Sequence, residues 1–390
     1  MTRRLFLFKF FMNTYIIKFE KYYHCLTGSC PQHCCNGWTI PVDGDTWGRI
    51  EKEPGKTGEI LRRHILGRSD DDRQIRKVLG RCPFLDKNKL CEIHKEGRKD
   101  LEPLVCRQFP HQVLDLGSRR EVTMLLSCYS AAKAFCEHPD EISFIKGGEE
   151  YESYYLIENR DEKFLEYLLA ERKKLLDVIA DETHDLPLIF STIYAYAAAT
   201  NARYLSNESR KSVTEVQLSS DPDDWGEYAV GDGEDYAFFP IEMMDKCILA
   251  LIDYSFLFTR NLRLWHLIRK YEKLFGKLYQ GEAEKWLNEQ LNRLYKDDPS
   301  FEKRHRNYFY YTMIQLYPLA YESYFWQRQT LLAIFYTELL MIFDITEYVT
   351  SEKVPDSETQ ILTLSCFERG TRHNPSMTEN IYNVIRNDFI

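Results

Sequence analysis

Nowhere in the 390 residues do apolar side chains run unbroken for the roughly 18 positions that a membrane-crossing helix requires. The nearest run, Leu331 to Phe343, is 13 residues long and contains Thr337 and Glu338. The expectation is a soluble cytoplasmic protein with no membrane partner. The sequence also lacks the glycine-rich strand–turn–helix of dinucleotide-binding folds, because Gly231-Asp232-Gly233 sits in a polar stretch without flanking strand or helix patterns. No G-x-x-x-x-G-K-S/T phosphate loop occurs, no unit repeats at a fixed period, and no tract is of low complexity. Positive charge is not in excess either. The formal charge is −9 and the pI about 5.7, which excludes a general nucleic-acid binder, since that needs a basic face.

The first residues are basic and apolar, but Lys9 interrupts them and no small-residue cleavage site precedes Cys25. Residues 1–18 therefore read as an N-terminal extension rather than a secretory signal, with Met12 as an alternative start. What the chain does have is bulk: 44% of residues are hydrophobic, and 26 Tyr and 23 Phe supply material for a sizeable core. It also has thiols concentrated in one place. Nine of the 11 cysteines fall between Cys25 and Cys136, and only Cys247 and Cys366 lie beyond. A reducing compartment disfavours a disulfide framework, which leaves metal ligation as the usual reason for such a concentration.

The first cluster is Cys25-x4-Cys30-x3-Cys34-Cys35, with Gly28, Pro31 and Gly37 as turn residues that let the loop fold its thiolates inward. Adjacent Cys34 and Cys35 cannot both face one ion from an extended strand, since successive side chains alternate. In a turn they can, or each serves a different atom of a polynuclear centre. The second cluster is Cys82-Pro83-Phe84-Leu85, Cys91-Glu92-Ile93-His94 and Cys106-Arg107-Gln108-Phe109-Pro110, followed by Cys128 at the start of a helical pattern. The intervening 8, 14 and 21 residues suit ligands gathered by a fold rather than by one local knuckle. Soft thiolates select zinc, copper(I) or iron–sulfur. Eight candidates, Cys25, Cys30, Cys34, Cys35, Cys82, Cys91, Cys106 and Cys128, exceed one tetrahedral zinc and make one or two four-ligand sites. Cys136, Cys247 and Cys366 read as small buried hydrophobes. His24, His33, His94 and His111 read as polar neighbours.

These motifs resemble those of the flagellin lysine-N-methylase family, a bacterial group related to cysteine-rich metal-chelating domains. The resemblance runs from Phe19 through Cys25, Cys30, Cys34-Cys35, Gly37-Trp38, Ile40 and Asp43. It resumes at Cys82-Pro83-Phe84-Leu85, Leu90-Cys91-Glu92-Ile93, Cys106-x2-Phe109-Pro110 and Leu126-Ser127-Cys128 with Ala131-Ala132. Near the C-terminus, Phe367 to Asn374 also resembles the family at Arg369, His373 and Asn374, while Arg372 stands where an acidic residue is commoner. The resemblance implies an iron–sulfur enzyme, with a 4Fe-4S cluster expected and zinc as the alternative metal. It would methylate lysine side chains of flagellin or a similar protein, with S-adenosylmethionine as donor. Radical enzymes of the common type hold their cluster with Cys-x3-Cys-x2-Cys, and Cys30-x3-Cys34-Cys35 lacks that last spacing. The residues identify no catalytic base and no donor site. A non-catalytic zinc- or iron-binding protein, or a redox sensor using a surplus thiol such as Cys136, competes with the enzyme.

Beyond residue 160 the pattern is helical. Phe164, Leu165, Leu168, Leu169, Leu175, Leu176 and Ile179 recur at three- and four-residue intervals. Further helices are expected near 186–206, 241–275, 282–295, 305–345 and 376–389. A hairpin is expected in the segment from His111 to Leu126, which alternates around Gly117. Residues 207–238 form an acidic polar loop, with Asp221, Asp223, Asp224 and Glu227 around Trp225 and Tyr228, read as a solvated surface. The expected architecture is mainly α. It comprises a loop-rich cysteine module with short strands at 19–140 and a predominantly helical region at 141–390.

Overall fold

In the computed structural model the described residues are 12–36, 39–69, 72–78, 80–148, 151–153, 157, 159–206, 239–253, 261–276, 282–372 and 375–388. The acidic loop at 207–238, the residues before 12, Gly37-Trp38 and His373-Asn374 lie outside that set.

The strands are β1 (Asn13–Ile17), β2 (Ile65–Leu66), β3 (Gln74–Ile75), β4 (His111–Leu116), β5 (Arg119–Met124) and β6 (Phe144–Lys146). One sheet runs in the order β4-β5-β1-β6, and β2 pairs with β3. The expected hairpin is β4–β5, with Val113 opposite Val122 and Gly117 turning at φ +55°. Strand β1 joins β5 in parallel and β6 antiparallel. Glu162 fastens the hairpin turn to the helical region, its carboxylate accepting from the Ser118 N–H at 3.1 Å and the Ser118 hydroxyl at 2.8 Å.

Five short helices belong to the first part of the chain: α1 (Gly44–Lys52), α2 (Gly55–Arg63), α3 (Glu92–Lys95), α4 (Leu104–Gln108) and α5 (Tyr129–Glu137). Longer ones follow. These are α6 (Glu162–Ala180), α7 (Leu186–Ser206), α8 (Ile241–Asp253), α9 (Leu262–Phe275), α10 (Glu282–Asp297) and α11 (Phe301–Leu316). After the short α12 (Ala320–Ser323) come α13 (Trp326–Ser351), α14 (Ser357–Thr371) and α15 (Pro375–Asp388). The protein is mainly α, with its few strands near the N-terminus.

Helix α13 is the axis of the fold. It is buried on every face from Gln329 to Thr346, which marks an interior helix rather than an amphipathic surface one, and it packs against α7, α9, α10, α11, α14 and α15. Its 26 residues are long and apolar enough to cross a membrane, yet its apolar window is entirely inside the protein. The helix expected over 305–345 is interrupted. Pro318, which cannot donate to a helical ladder, sits in a 3-10 turn at Tyr317–Leu319, and Tyr324 adopts a left-handed φ of 61° before α13 begins. The segment expected as one helix over 241–275 contains α8 and a separately capped α9, where Asn261 accepts from the Leu264 N–H at 3.4 Å. Helix α14 was not anticipated.

Two buried cores result. The large one joins the helices to the sheet and α5, and includes Ile17, Phe19, Leu116, Met124, Phe164 and Phe343. The small one has nine buried residues: Ile40, Val42, Ile50, Leu61, Ile75, Cys82, Phe84, Ile93 and Leu101.

Candidate metal centre

Cys25, Cys30, Cys34 and Cys35 occupy the loop between the 3-10 turn Lys18–Tyr22 and α1. The Thr27 N–H points at Cys25 Sγ, 3.4 Å away, and the Cys30 thiol donates to the Gln32 carbonyl at 3.2 Å. Gly28 is required by contact rather than by an unusual φ. A Cβ there would stand 2.6 Å from the Asn88 carbonyl oxygen, so only glycine lets this loop lie against the turn at Asp86–Leu90.

That turn carries two more thiols. The Asp86 carboxylate accepts from the N–H groups of Asn88 at 2.8 Å and Leu90 at 2.9 Å, and Lys89 is left-handed with φ 61°. Leu85 and Cys91 form a bridge across it, which sets Cys91 beside the Cys82 segment at the start of α3. The Cys82 N–H donates to the Cys35 carbonyl at 3.0 Å and sews the two loops together. Cys106 lies in α4, whose start is held by Asp43. That carboxylate caps α1 through the Thr46 N–H at 2.9 Å and accepts the Leu104 N–H at 2.8 Å. Cys128 precedes α5 at its N-cap position.

All eleven cysteines are free thiols. Cys82 is buried, Cys30, Cys35, Cys91 and Cys128 are half-buried, and Cys25, Cys34 and Cys106 retain exposed surface. Their charges couple. Cys35 feels Cys34, Cys82 and Cys106, and Cys82 feels Cys91 and Cys34. Cys30 feels Cys34 and Cys25, and Cys128 feels Cys30 and Cys34. These interactions link thiols from distant stretches of chain electrostatically. Among the described residues, no three His, Cys, Asp or Glu side chains stand at the spacing of a single ion.

Burial pushes most of these thiols up: Cys82 to about 11, Cys128 to about 12, and Cys30, Cys91 and Cys106 in the same direction. Cys34 and Cys35 titrate as a pair, their sulfurs 3.9 Å apart. A hydrogen bond from Cys35 lowers Cys34 to about 7, and the same bond raises Cys35.

Two cations face the thiols. Arg369, from α14, donates through Nη2 to the His33 carbonyl at 3.0 Å and also to the Asn36 carbonyl, gripping the Cys34-Cys35 turn from both sides. Its guanidinium is desolvated, and the charges that offset this are Cys366, Cys34, Cys30 and Cys35. Lys77 is lowered to about 8 by burial, with Cys82, Cys35 and Cys106 pulling the other way. Its ammonium and His33 Nε2 are buried without a hydrogen-bond partner. The orphaned Lys77 ammonium fits an anionic group between the loops, because a buried unpaired ammonium is costly. The donor set is soft and fits thiophilic metal or iron–sulfur.

The histidines divide. His94 Nδ1 lies 2.9 Å from Glu102, and His111 Nε2 lies 3.1 Å from Glu20, so both have carboxylate partners. Cys247 is buried in the large core, and Cys136 packs against it. Cys366 is also buried there, but Gln32 donates to its sulfur at 3.0 Å, which brings it to the edge of the cysteine loop. A surface hollow of about 500 Å³ lined by Gly44, Asp45, Gly48, Arg49, Lys52, Glu53 and Asp100 contains no cysteine.

Residues 24–137 match a family described as "Putative zinc- or iron-chelating domain", CxxCxxCC. That segment is similar to this cysteine-cluster family. Among curated proteins, the chain is 25% identical over 132 residues to a lysine-N-methylase of Salmonella choleraesuis (strain SC-B67), covering 32% of this chain and 33% of the relative. It is 25% identical over 132 residues to the flagellar biosynthetic protein FliU of Salmonella muenchen, covering 32% of this chain and 78% of that protein. A lysine-N-methylase of Salmonella typhimurium is 26% identical over 128 residues, covering 31% of this chain and 32% of the relative. The match therefore spans about a third of the length of the lysine-N-methylases. No solved structure matches. The resemblance read from the sequence stands at the level of the family.

Sequence reasoning did not assign Arg369 or Lys77 to the site. Arg369 carried a signal, since it lies in the FERGTRHN motif, but nothing linked that motif to cysteines more than 300 positions earlier. Lys77 carried none.

Proposed function

We propose that this protein N-methylates lysine side chains of flagellin or a related protein, with S-adenosylmethionine as donor and a cysteine-held iron–sulfur centre in the module at 19–140. The observation that supports the reading is that the loops bearing Cys34-Cys35 and Cys82 meet through the Cys82 N–H to Cys35 carbonyl bond at 3.0 Å, with Arg369 on the Cys34-Cys35 turn and Lys77 nearby; Cys25, Cys30, Cys91, Cys106 and Cys128 are the further candidate ligands. The similarity to two lysine-N-methylases supplies the reaction, and the similarity to a flagellar biosynthetic protein supports the substrate. Methylation would precede export of the substrate, which puts the protein in the cytoplasm.

The chemistry sets clear demands. A lysine amine attacks only when neutral, and its ordinary pKa is about 10.4, so the site must desolvate it or accept its proton. The nitrogen takes the methyl group from the sulfonium, the sulfonium leaves as a neutral thioether, and the released proton passes to a base or to water. When bound, an iron–sulfur centre cross-links the loops and can exchange an electron. The cysteines would hold it, on loops this chain shapes itself: Gly28 allows the loops to touch, Asp43 fixes the cysteine-bearing α4, and Arg369 clamps the Cys34-Cys35 turn.

The test is purification without oxygen, with iron, acid-labile sulfide and visible spectrum recorded, followed by methyl transfer from S-adenosylmethionine to purified flagellin. A coloured iron- and sulfide-bearing protein that methylates flagellin, and loses both properties in Cys82→Ser, supports the proposal. A colourless zinc protein with no transferase activity would establish the non-catalytic alternative. A cluster-bearing protein that leaves flagellin unmodified removes the substrate assignment.

A further inference from the structure

The positive charge around the first cysteine loop has no counter-charge of its own. Over residues 76–89 the chain carries Arg76, Lys77, Arg81, Lys87 and Lys89 against one acid, Asp86, whereas the whole chain stands at −9. Asp86 is already taken by the Lys95 ammonium at 2.7 Å. Among the described residues none of the five cations is in an ion pair, and the Lys77 ammonium is buried without a hydrogen-bond partner. Arg76, Arg81, Lys87 and Lys89 are exposed. The loop from His24 to Asn36 contains no carboxylate to meet them.

Backbone contacts set these cations on both sides of the loop. Arg81 forms a bridge with Asn36, and a tight turn joins it to Val78 through N–H to carbonyl bonds of 3.0 and 2.9 Å. On the other side the Asn88 carbonyl, between Lys87 and Lys89, lies against Gly28, where a Cβ would stand 2.6 Å away. Arg369 reaches the His33 and Asn36 carbonyls from a third direction. His33 sits among them: burial lowers its ring, and the charges of Lys89, Arg81 and Arg369 push the same way. The rim also has apolar points, with Val78 50% and Leu26 36% exposed.

Unpaired like charges at this density repel one another, so the surface suits an anionic partner that relieves them. Apolar side chains among the cations favour a polypeptide over a nucleic acid, whose continuous charge would also meet the negative remainder of the chain. We propose that Arg76, Arg81, Lys87 and Lys89, collared around the cysteine loop, are the docking surface for a carboxylate-rich segment of the protein substrate. This deepens the reading of the protein as one that modifies other proteins, and rests on it. Guanidinium and ammonium groups take carboxylates by charge-assisted hydrogen bonds. A segment held there would lie beside the exposed Cys25 and Cys34.

The probe is a fluorescein-labelled peptide of glutamate and glycine, titrated onto the anaerobically reconstituted full chain and followed by anisotropy. Its glutamine counterpart and a single-stranded DNA oligonucleotide of equal charge are titrated alongside. The glutamate peptide should bind about 10-fold tighter than the glutamine one and lose that advantage as salt rises. Arg81→Glu with Lys89→Glu should weaken it by about 10-fold, with iron and sulfide content unchanged. Lys163→Glu with Lys273→Glu, at exposed positions of the helical region, should leave it unaltered. Should charge reversal strip the iron, Arg81→Gln with Lys89→Gln decides by the same loss of binding. Equal binding of the two peptides, indifference to both collar pairs, or tighter binding of the oligonucleotide overturns the docking surface. An active flagellin methylase that ignores the glutamate peptide sinks this proposal alone. A chain that binds the peptide through the collar yet leaves flagellin unmodified removes the flagellin assignment and keeps the surface.

Discussion

The helical region and the small core reach order by different means. Around α13 the burial is continuous, and several of the buried polar groups near it are paired. Arg172 donates to both Glu121 oxygens from α6 to β5, and Tyr311 and Gln315 bond the Met124 backbone. The small core has nine buried residues and is laced by turns, caps and carbonyl contacts instead. A core that size stabilises little unaided, so cross-linking by a ligand matters far more there. One region is held by packing, the other by what its thiols bind.

The sharpest way to break that comparison is to hollow both regions. Phe343→Ala, at a fully buried position in α13, should lower global stability by about 3–5 kcal/mol in denaturant unfolding. Phe84→Ala in the small core should instead release metal and raise amide exchange over 39–108, with little change in the main transition. A shared loss would show the two regions to be one cooperative unit.

Next comes the buried ion pair. Arg172→Met leaves the Glu121 charge with Arg119 alone and should cost about 3–5 kcal/mol. Burial by itself would raise the Glu121 carboxyl, but the charges and hydrogen bonds of Arg172 and Arg119 outweigh it and hold the group below its ordinary value. Its contribution is therefore full above the unfolded carboxyl's pKa and lost as pH falls through the lowered folded value. Glu121→Gln should flatten the acid limb of the stability profile, and an unchanged acid limb would remove the linkage.

A smaller effect is expected where the regions meet. Arg369→Lys keeps the charge but is shorter and lacks the planar guanidinium whose Nη2 serves both carbonyls, and should weaken metal retention about 10- to 100-fold in chelator competition, as loss of an outer-shell support does. The smallest is Asp43→Ala, which removes two N–H partners and should cost about 1 kcal/mol, visible as faster exchange at Thr46 and Leu104.

Much of this was legible in the sequence. The β4–β5 hairpin followed from alternation around Gly117, and α6 and α7 from their spacing of apolar residues. Helix α14 was not, because Glu368, Arg369 and Thr371 are buried in a polar network where Glu368 accepts from Tyr308 and Arg372 bonds Gln315 at 2.6 Å. A polar interior face hides amphipathic spacing. Arg372, which departs from the family pattern, is part of that network, so the departure has a local structural use. The eight thiols were nominated from clustering alone. That Cys30 and Cys128 pack against the large core while Cys82, Cys35 and Cys91 join the small one was not visible, because which core a residue joins depends on tertiary contacts.

The most direct test of the metal centre is X-ray absorption at the iron edge of the anaerobically reconstituted full chain. A first shell of sulfur only, with an iron–iron vector behind it that disappears in Cys82→Ser, is the predicted result. A first shell of oxygen and nitrogen, unchanged by cysteine substitution, would contradict a thiolate-held cluster.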